Sequence, residues 1–418
     1  MNMRETKDLE YKEAISNTFL KTVSAFANYG TGSIKFGIKD DGTIIGIKNP
    51  KQACLDIENR INDSIDPVPD YSLSIHEKSG VITLRVEEGM HKPYLYKAKA
   101  YKRNDSATIE VDRLELTRLV LEGENLSYEE TPAKTQTLSF KILAEKLGEA
   151  LHLNEVTQDT LKTLELYKEK IGYNVAGELL ADENSFCGID MVRFGDSISV
   201  LMDRERYEHV SVLAQYDKAL ALYRKYYSYE EIRGSLREKK ELIPEAAFRE
   251  AVANAIVHRA WDIRAYITVS MFPDRIEITS PGGLPKGMSR EGYLSGGISI
   301  LRNRIIANVF FRLNMIEQFG TGIRRINETY RDSAKKPTYE ILSESIRMVL
   351  PVIGGKQELT EDENAVYDFV KGHSVSSSAV VEATGFGKNK TVAILKKLVA
   401  KGYIAKEGNG RGLKYFVK

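Results

Sequence analysis

Ile15, Phe19, Val23 and Phe26 recur three or four residues apart, the spacing at which one helix face meets a core, and predict a helix over Ala14–Tyr29. Gly30-Thr31-Gly32 ends it. Ser33–Ile38 then alternates apolar and polar positions as a half-buried strand does, Asp40-Asp41-Gly42 has the composition of a turn, and Thr43–Ile47 returns as a second strand. The expectation is a hairpin. A further helix over Cys54–Ile65, a strand pair at Tyr71–His76 and Val81–Val86, and an extended run from Pro93 to Arg103 complete an α+β unit over residues 1–123.

Residues 124–137 are polar, contain Pro132 and have no apolar period, which predicts a linker. From 138 to 353 helical patterns alternate with strands such as Tyr266–Phe272 and Arg275–Ser280, so one α/β domain is expected there. Gly354-Gly355-Lys356-Gln357 reads as a second hinge. Beyond it Thr360, with Glu363 three residues on, forms a capping box for a helix through Phe369. Ser374–Ala383 and Asn389–Lys401 are two more helices, the last turning Val392, Leu395, Leu398 and Val399 inward. Two short strands around the tip Gly408-Asn409-Gly410-Arg411-Gly412 follow, and helices followed by such a hairpin make residues 354–418 a winged helix-turn-helix.

At roughly 100–200 residues per domain, 418 residues suit this three-part α+β multidomain reading. No stretch approaches the roughly 18 apolar residues of a membrane span, and Met1-Asn2-Met3-Arg4-Glu5 lacks a signal-peptide core, so a cytoplasmic protein is expected. Cys54 and Cys187 have no metal-ligand spacing around them and read as packing residues. Net charge is only +1, but residues 371–418 hold ten Lys or Arg against two Glu. Within them Lys388, Lys390, Lys396 and Arg411 stand where a recognition helix and a wing would meet double-stranded DNA.

Chemistry concentrates at Glu250, Asn254 and His258, which successive i, i+4 spacings place on one helix face. A carboxylate and a carboxamide one turn apart can orient a water and hold Mg²⁺ against phosphates. No Gly-x-x-x-x-Gly-Lys-Ser/Thr run occurs, which excludes a P-loop helicase motor. Nearer the start, Lys35, Lys92, Lys97, Lys99, Lys102 and Arg103 with Tyr94, Tyr96 and Tyr101 interleaved suggest a groove that tracks phosphates and stacks bases.

Several of these runs resemble known families. Tyr266–Phe272, Arg275–Ser280, Pro281-Gly282-Gly283-Leu284-Pro285 and Gln318-Phe319-Gly320-Thr321-Gly322-Ile323 resemble the ATP-binding domain of RecG-related transcriptional regulators, a divergent form of the gyrase/Hsp90/histidine-kinase/MutL (GHKL) fold. The likeness implies a GHKL-like α/β sandwich binding ATP, with Glu250 as general base, Asn254 on Mg²⁺, Gly282 and Gly283 as a first glycine box, and Gly320 and Gly322 as a second. It departs in having no Asp before Gly282 and Ala260 where those regulators often carry an acidic residue. Glu5, Glu10, Lys12, Val23–Asn28, Ile34–Gly42, Gly89–Tyr94 and Tyr101-Lys102-Arg103 resemble the Schlafen/AlbA-type nucleic-acid-binding domain. In its RNase members two glutamates and an aspartate bind Mg²⁺ or Mn²⁺, and the matching residues are Glu5, Glu10 and Asp40 or its neighbour Asp41. The leading expectation is a homodimeric, DNA-binding transcriptional regulator with a nucleotide-binding-like centre. The alternative is a metal-dependent nuclease acting on RNA or single-stranded DNA, in defence.

Overall fold

The structure, a computed structural model, describes residues 4–152, 155–233, 236–296, 300–316, 320–333, 335–353, 359–400, 402–408 and 410–417. Its first part runs β1 (Leu9–Lys12), α1 (Phe19–Tyr29), β2 (Gly32–Phe36), α2 (Pro50–Ser64), β3 (Ile65–Asp66), β4 (Tyr71–His76), β5 (Val81–Val86), β6 (Leu95–Tyr96), β7 (Tyr101–Asn104), β8 (Ala107–Glu110) and α3 (Arg113–Gly123). A four-stranded sheet has the order β1-β2-β5-β4, with β1 parallel to β2 and the remaining pairs antiparallel. Phe19, Val23 and Phe26 of α1 are buried on it, and Phe19 meets Phe36 edge-on at 5.3 Å between centroids.

Three expectations are corrected here. The first helix starts at Phe19 because Ser16–Thr18 turn, the Phe19 N–H donating to the Ser16 carbonyl at 3.2 Å. The expected hairpin reduces to one bridge, Ile38 to Ile44, because both edges of β2 are taken by β1 and β5. The run from Pro93 to Arg103 is broken by Lys97 and Ala98, whose φ of 51° and 58° turn the chain between β6 and β7.

The 124–137 segment is anchored. A short 3₁₀ turn, Tyr128–Glu130, buries Glu129 completely, and its carboxylate accepts the Ile305 and Ile306 N–H groups at 2.6 and 3.1 Å.

The chain continues through α4 (Lys141–Leu151), α5 (Gln158–Thr163), β9 (Tyr167–Lys168), β10 (Gly172–Tyr173), α6 (Val175–Leu180), β11 (Ile189–Phe194), β12 (Leu201–Tyr207) and α7 (Val212–Tyr227). It then forms β13 (Ser228–Arg233), β14 (Leu236–Glu241), α8 (Glu245–His258), β15 (Ile267–Phe272), β16 (Arg275–Pro281), α9 (Arg290–Ser295), α10 (Arg304–Arg312), α11 (Gly322–Thr329), β17 (Thr338–Ile341) and β18 (Ser345–Pro351). A mixed six-stranded sheet has the order β12-β11-β15-β16-β18-β17. Alternation along β16 and β18 buries Ile276, Ile278, Met348 and Leu350 in one cluster with α7 and α8.

The last part comprises α12 (Glu361–Val370), α13 (Ser377–Thr384), α14 (Lys388–Ala400), β19 (Ala405–Glu407) and β20 (Lys414–Phe416). Thr360 caps α12 through the capping box with Glu363. Val366, Val370, Val380, Ile394, Leu395 and Leu398 share a separate buried cluster with Tyr415. In α14 the fully inward set is Thr391, Ile394, Leu395 and Leu398, whereas Val392 and Val399 are half-buried. The expected hinge at 354–357 lies outside the described residues.

Candidate functional site

α8 is buried along most of its length, so a polar residue on it must face a partner or a cleft. Glu250, Asn254 and His258 line one cleft together with Tyr293 of α9, Phe311 of α10, and Gly320, Gly322 and Ile323. Asn254 Nδ2 donates to Glu250 Oε1 at 3.4 Å, and Arg325 Nη1 lies 3.8 Å from Glu250 Oε2. Gly322 seats the start of α11 against this pair: a Cβ there would come within 2.4 Å of Glu250 Oε1 and 2.6 Å of Asn254 Nδ2. Gly320 has φ 62°, a left-handed conformation that favours glycine.

The other glycine pair is used differently. Gly282 has φ 102°, and a Cβ on it would meet the Ala260 Cβ at 2.8 Å, so it lets the turn after β16 lie against the end of α8. It lines a second, smaller cavity that shares Asn254, His258 and Tyr293 with the first. Gly283 lines neither cavity and is packed on the Ser343 carbonyl, 2.2 Å from where a Cβ would stand.

Sequence reasoning missed the residues that hold these walls together. Arg302 donates to the His258 carbonyl at 3.0 Å and to the Gly283 carbonyl at 2.7 Å, while Asn303 Nδ2 reaches the Val257 and Arg259 carbonyls at 2.7 and 2.8 Å. Carbonyls at the end of α8, which no helical N–H can satisfy, are thereby paired. Nothing in Leu301-Arg302-Asn303 marks this role, because it depends on where the chain passes. His258 Nδ1 is enclosed and has no hydrogen-bond partner among the described residues. Burial, reinforced by the Arg302 guanidinium, lowers its pKa to about 4, so the imidazole is neutral at pH 7.

The enclosed part of the main cleft is about 70 Å³, space for two or three waters at roughly 30 Å³ each. Small-molecule sites typically measure roughly 300–1,000 Å³. A nucleotide does not fit beside Asn254 and His258 alone, but an adjoining cavity that shares Glu250, Phe311 and Ile316 and is also lined by Arg325 measures about 540 Å³.

The N-terminal carboxylates do not assemble as a metal site. Glu10 is buried and shares its oxygens among Arg103, Lys12 at 2.6 Å and the Thr22 hydroxyl at 2.6 Å. Glu5 accepts the Tyr11 N–H at 2.8 Å, and Asp40 lies exposed in the turn before Gly42. Among the described residues no group of three His, Cys, Asp or Glu is placed to hold a metal. The Arg103 guanidinium supplies the positive charge that faces Glu10.

Of the expected N-terminal phosphate groove, Lys97 and Lys99 are exposed and Lys35 is half-buried, but the other cations and the tyrosines lie elsewhere. Lys92 is buried between Glu88 and Glu122, Lys102 is paired with Glu115, and Arg103 is buried on Glu10. Tyr94, Tyr96 and Tyr101 are buried as well, so they are core residues and offer no exposed faces to bases. In the C-terminal part Lys388, Lys390 and Lys396 are exposed on α14. Lys390 pairs with Asp362 at 2.8 Å and lies 4.2 Å above the Phe386 ring. The Arg411 side chain, and Gln318-Phe319 ahead of Gly320, lie outside the described residues.

Comparisons with known proteins converge on two of the three parts. A family model described as "Schlafen, AlbA_2" matches residues 5–112, and one described as "Putative ATP-dependent DNA helicase recG C-terminal" matches residues 265–350. The first contains Glu5, Glu10, Asp40, Lys92, Lys102 and Arg103; the second contains all four glycines but begins after α8. Among solved structures, the DIP2311 protein from Corynebacterium diphtheriae is similar at 19% identity over 99% of this chain and 92% of that chain, with a TM-score of 0.47. The N-terminal domain of a "Putative ATP-dependent DNA Helicase RecG-related Protein" from Nitrosomonas europaea is 20% identical over 25% of this chain and 80% of that chain, with a TM-score of 0.19. No curated protein matches the chain.

Proposed function

We propose that this chain is a DNA-binding transcriptional regulator, acting as a cytoplasmic homodimer, whose central cleft takes ATP. The observation that carries the DNA-binding part is α14. It buries Thr391, Ile394, Leu395 and Leu398 in its own small core while Lys388, Lys390, Lys396 and Lys397 remain exposed. With β19 and β20 behind it, and Tyr415 bridged to Val375 ahead of α13, this is the layout expected of a winged helix.

Support for ATP comes from the cleft and from the RecG-related match. Asn254 would hold Mg²⁺ through its amide oxygen alongside phosphate oxygens, Glu250 would orient a water, and the backbone at Gly320 and Gly322 would admit phosphates closely. Bound there, Mg²⁺ would neutralise phosphate charge. The N-terminal unit contributes nucleic-acid binding, in keeping with its Schlafen/AlbA_2 match. The Arg103–Glu10 pair argues against cleavage by that unit.

Footprinting on duplexes selected from a random pool tests this reading. The expected result is a protected site, with two-fold symmetry matching the dimer, that fades in Lys388→Ala/Lys396→Ala. Recovery of no preferred duplex would overturn the regulator.

A further inference from the structure

Four charged side chains meet where the N-terminal unit touches the central one. Lys92, whose side chain is only 2% exposed, bonds Glu88 at 2.7 Å and Glu122 at 2.9 Å. Lys286 bonds the same two carboxylates through the same oxygens. Two positive and two negative charges thus close a neutral cluster, and removing any one leaves a partly buried charge unbalanced.

The position of Lys286 gives this cluster its interest. It follows the Gly282-Gly283 turn by three residues and stands two before Met288, which lines the cleft. On the other side Glu122 belongs to α3, where Arg118 lies one helical turn earlier on the same face. Arg118 bonds Asp262 at 2.6 Å, and Asp262 lies four residues past His258. The two anchoring segments are themselves joined, since the Ala260 N–H donates to the Pro281 carbonyl at 2.9 Å. One face of α3 therefore grips two segments that flank the cleft: the loop after α8 through Arg118 and Asp262, and the loop after the glycine turn through Glu122 and Lys286.

We infer that α3 is a latch coupling occupancy of the central cleft to the N-terminal nucleic-acid-binding unit. The inference rests on the proposed reading of that cleft as an ATP site. The space beside Asn254 and His258 is only about 70 Å³, whereas about 540 Å³ opens next to it at Glu250 and Arg325, so a nucleotide seated there whose phosphates reach Asn254 and the glycine turn would displace that turn from α8. Displacing the turn carries Lys286 away from Glu88 and Glu122, or drags α3 with it. In either case a ligand with different affinity for the two arrangements alters the N-terminal unit, and nucleic acid there alters ATP affinity by the same factor.

Hydrogen exchange on the full chain, with and without ATP and Mg²⁺, tests this. In the wild type, ATP should change exchange in residues 245–258 and 281–295 and also, by roughly fivefold or more, in α3. The α3 response should vanish in Arg118→Asp and Lys286→Glu, and return in the charge-swapped Arg118→Asp/Asp262→Arg chain. Retention of 245–258 and 281–295 responses in the variants would show that ATP still binds. Response in the cleft segments without any in α3 of the wild type, or an α3 response that survives in both single variants, would overturn the latch while leaving the ATP site standing. No response anywhere would overturn the ATP reading and the latch with it.

Discussion

A buried carboxylate can hold a metal or a guanidinium, and its surroundings decide which. Glu10 faces Arg103, and both side chains are almost wholly buried. Truncating one partner of such a pair strands the other, a loss of roughly 3–5 kcal/mol. Glu10→Ala should therefore lower the thermal midpoint sharply and in the same way with Mn²⁺ or with chelator present; a metal ligand would instead give a Mn²⁺-dependent midpoint in the wild type that the variant loses. His258 supplies a second prediction. Its ordinary pKa of 6.5 falls to about 4 in the fold, so between those values the unfolded chain binds a proton that the folded chain does not. Its contribution to stability is complete above pH 6.5 and drains away as the pH drops towards 4. Thermal midpoints measured from pH 8 to 4 should fall less steeply for His258→Asn than for wild type, and parallel curves would refute the assignment. Neither residue could be read fully from sequence. The partner of Glu10 stands 93 residues away, and the enclosure of His258 is completed by Arg302.

Among the elements, α8 and the α12–α14 series were the most legible. The i, i+4 run of Glu250, Asn254 and His258 and the capping box at Thr360 are local signals, and local geometry honours them. β1 escaped notice because it is four residues long and its parallel pairing to β2 is a long-range choice. The same blindness made Lys92 and Arg103 look like surface cations, since alternation along a strand does not reveal which acidic side chains pack on it. The meeting of α11 with α8 is testable. Gly322→Ala must push apart Glu250 and Asn254, and ATP affinity should fall by roughly tenfold, or about 1.4 kcal/mol, in equilibrium binding. An unchanged affinity would place the nucleotide elsewhere.

At the scale of the whole molecule, a near-zero net charge conceals a strongly basic C-terminal part and an N-terminal unit in which Lys92, Lys102 and Arg103 are spent on internal pairs. Duplex affinity should come mainly from α14, where Lys388, Lys396 and Lys397 are exposed, while the cleft acts on the N-terminal unit. The most direct measurement is binding of the full chain to labelled duplex DNA across a salt series, with and without ATP and Mg²⁺, while the integrity of the DNA is followed. The account predicts salt-dependent duplex binding without degradation, with the slope of log affinity against log salt reduced by about one for each of Lys388→Ala and Lys396→Ala. Duplex binding that ignores both substitutions, or metal-dependent loss of the nucleic acid, would contradict it.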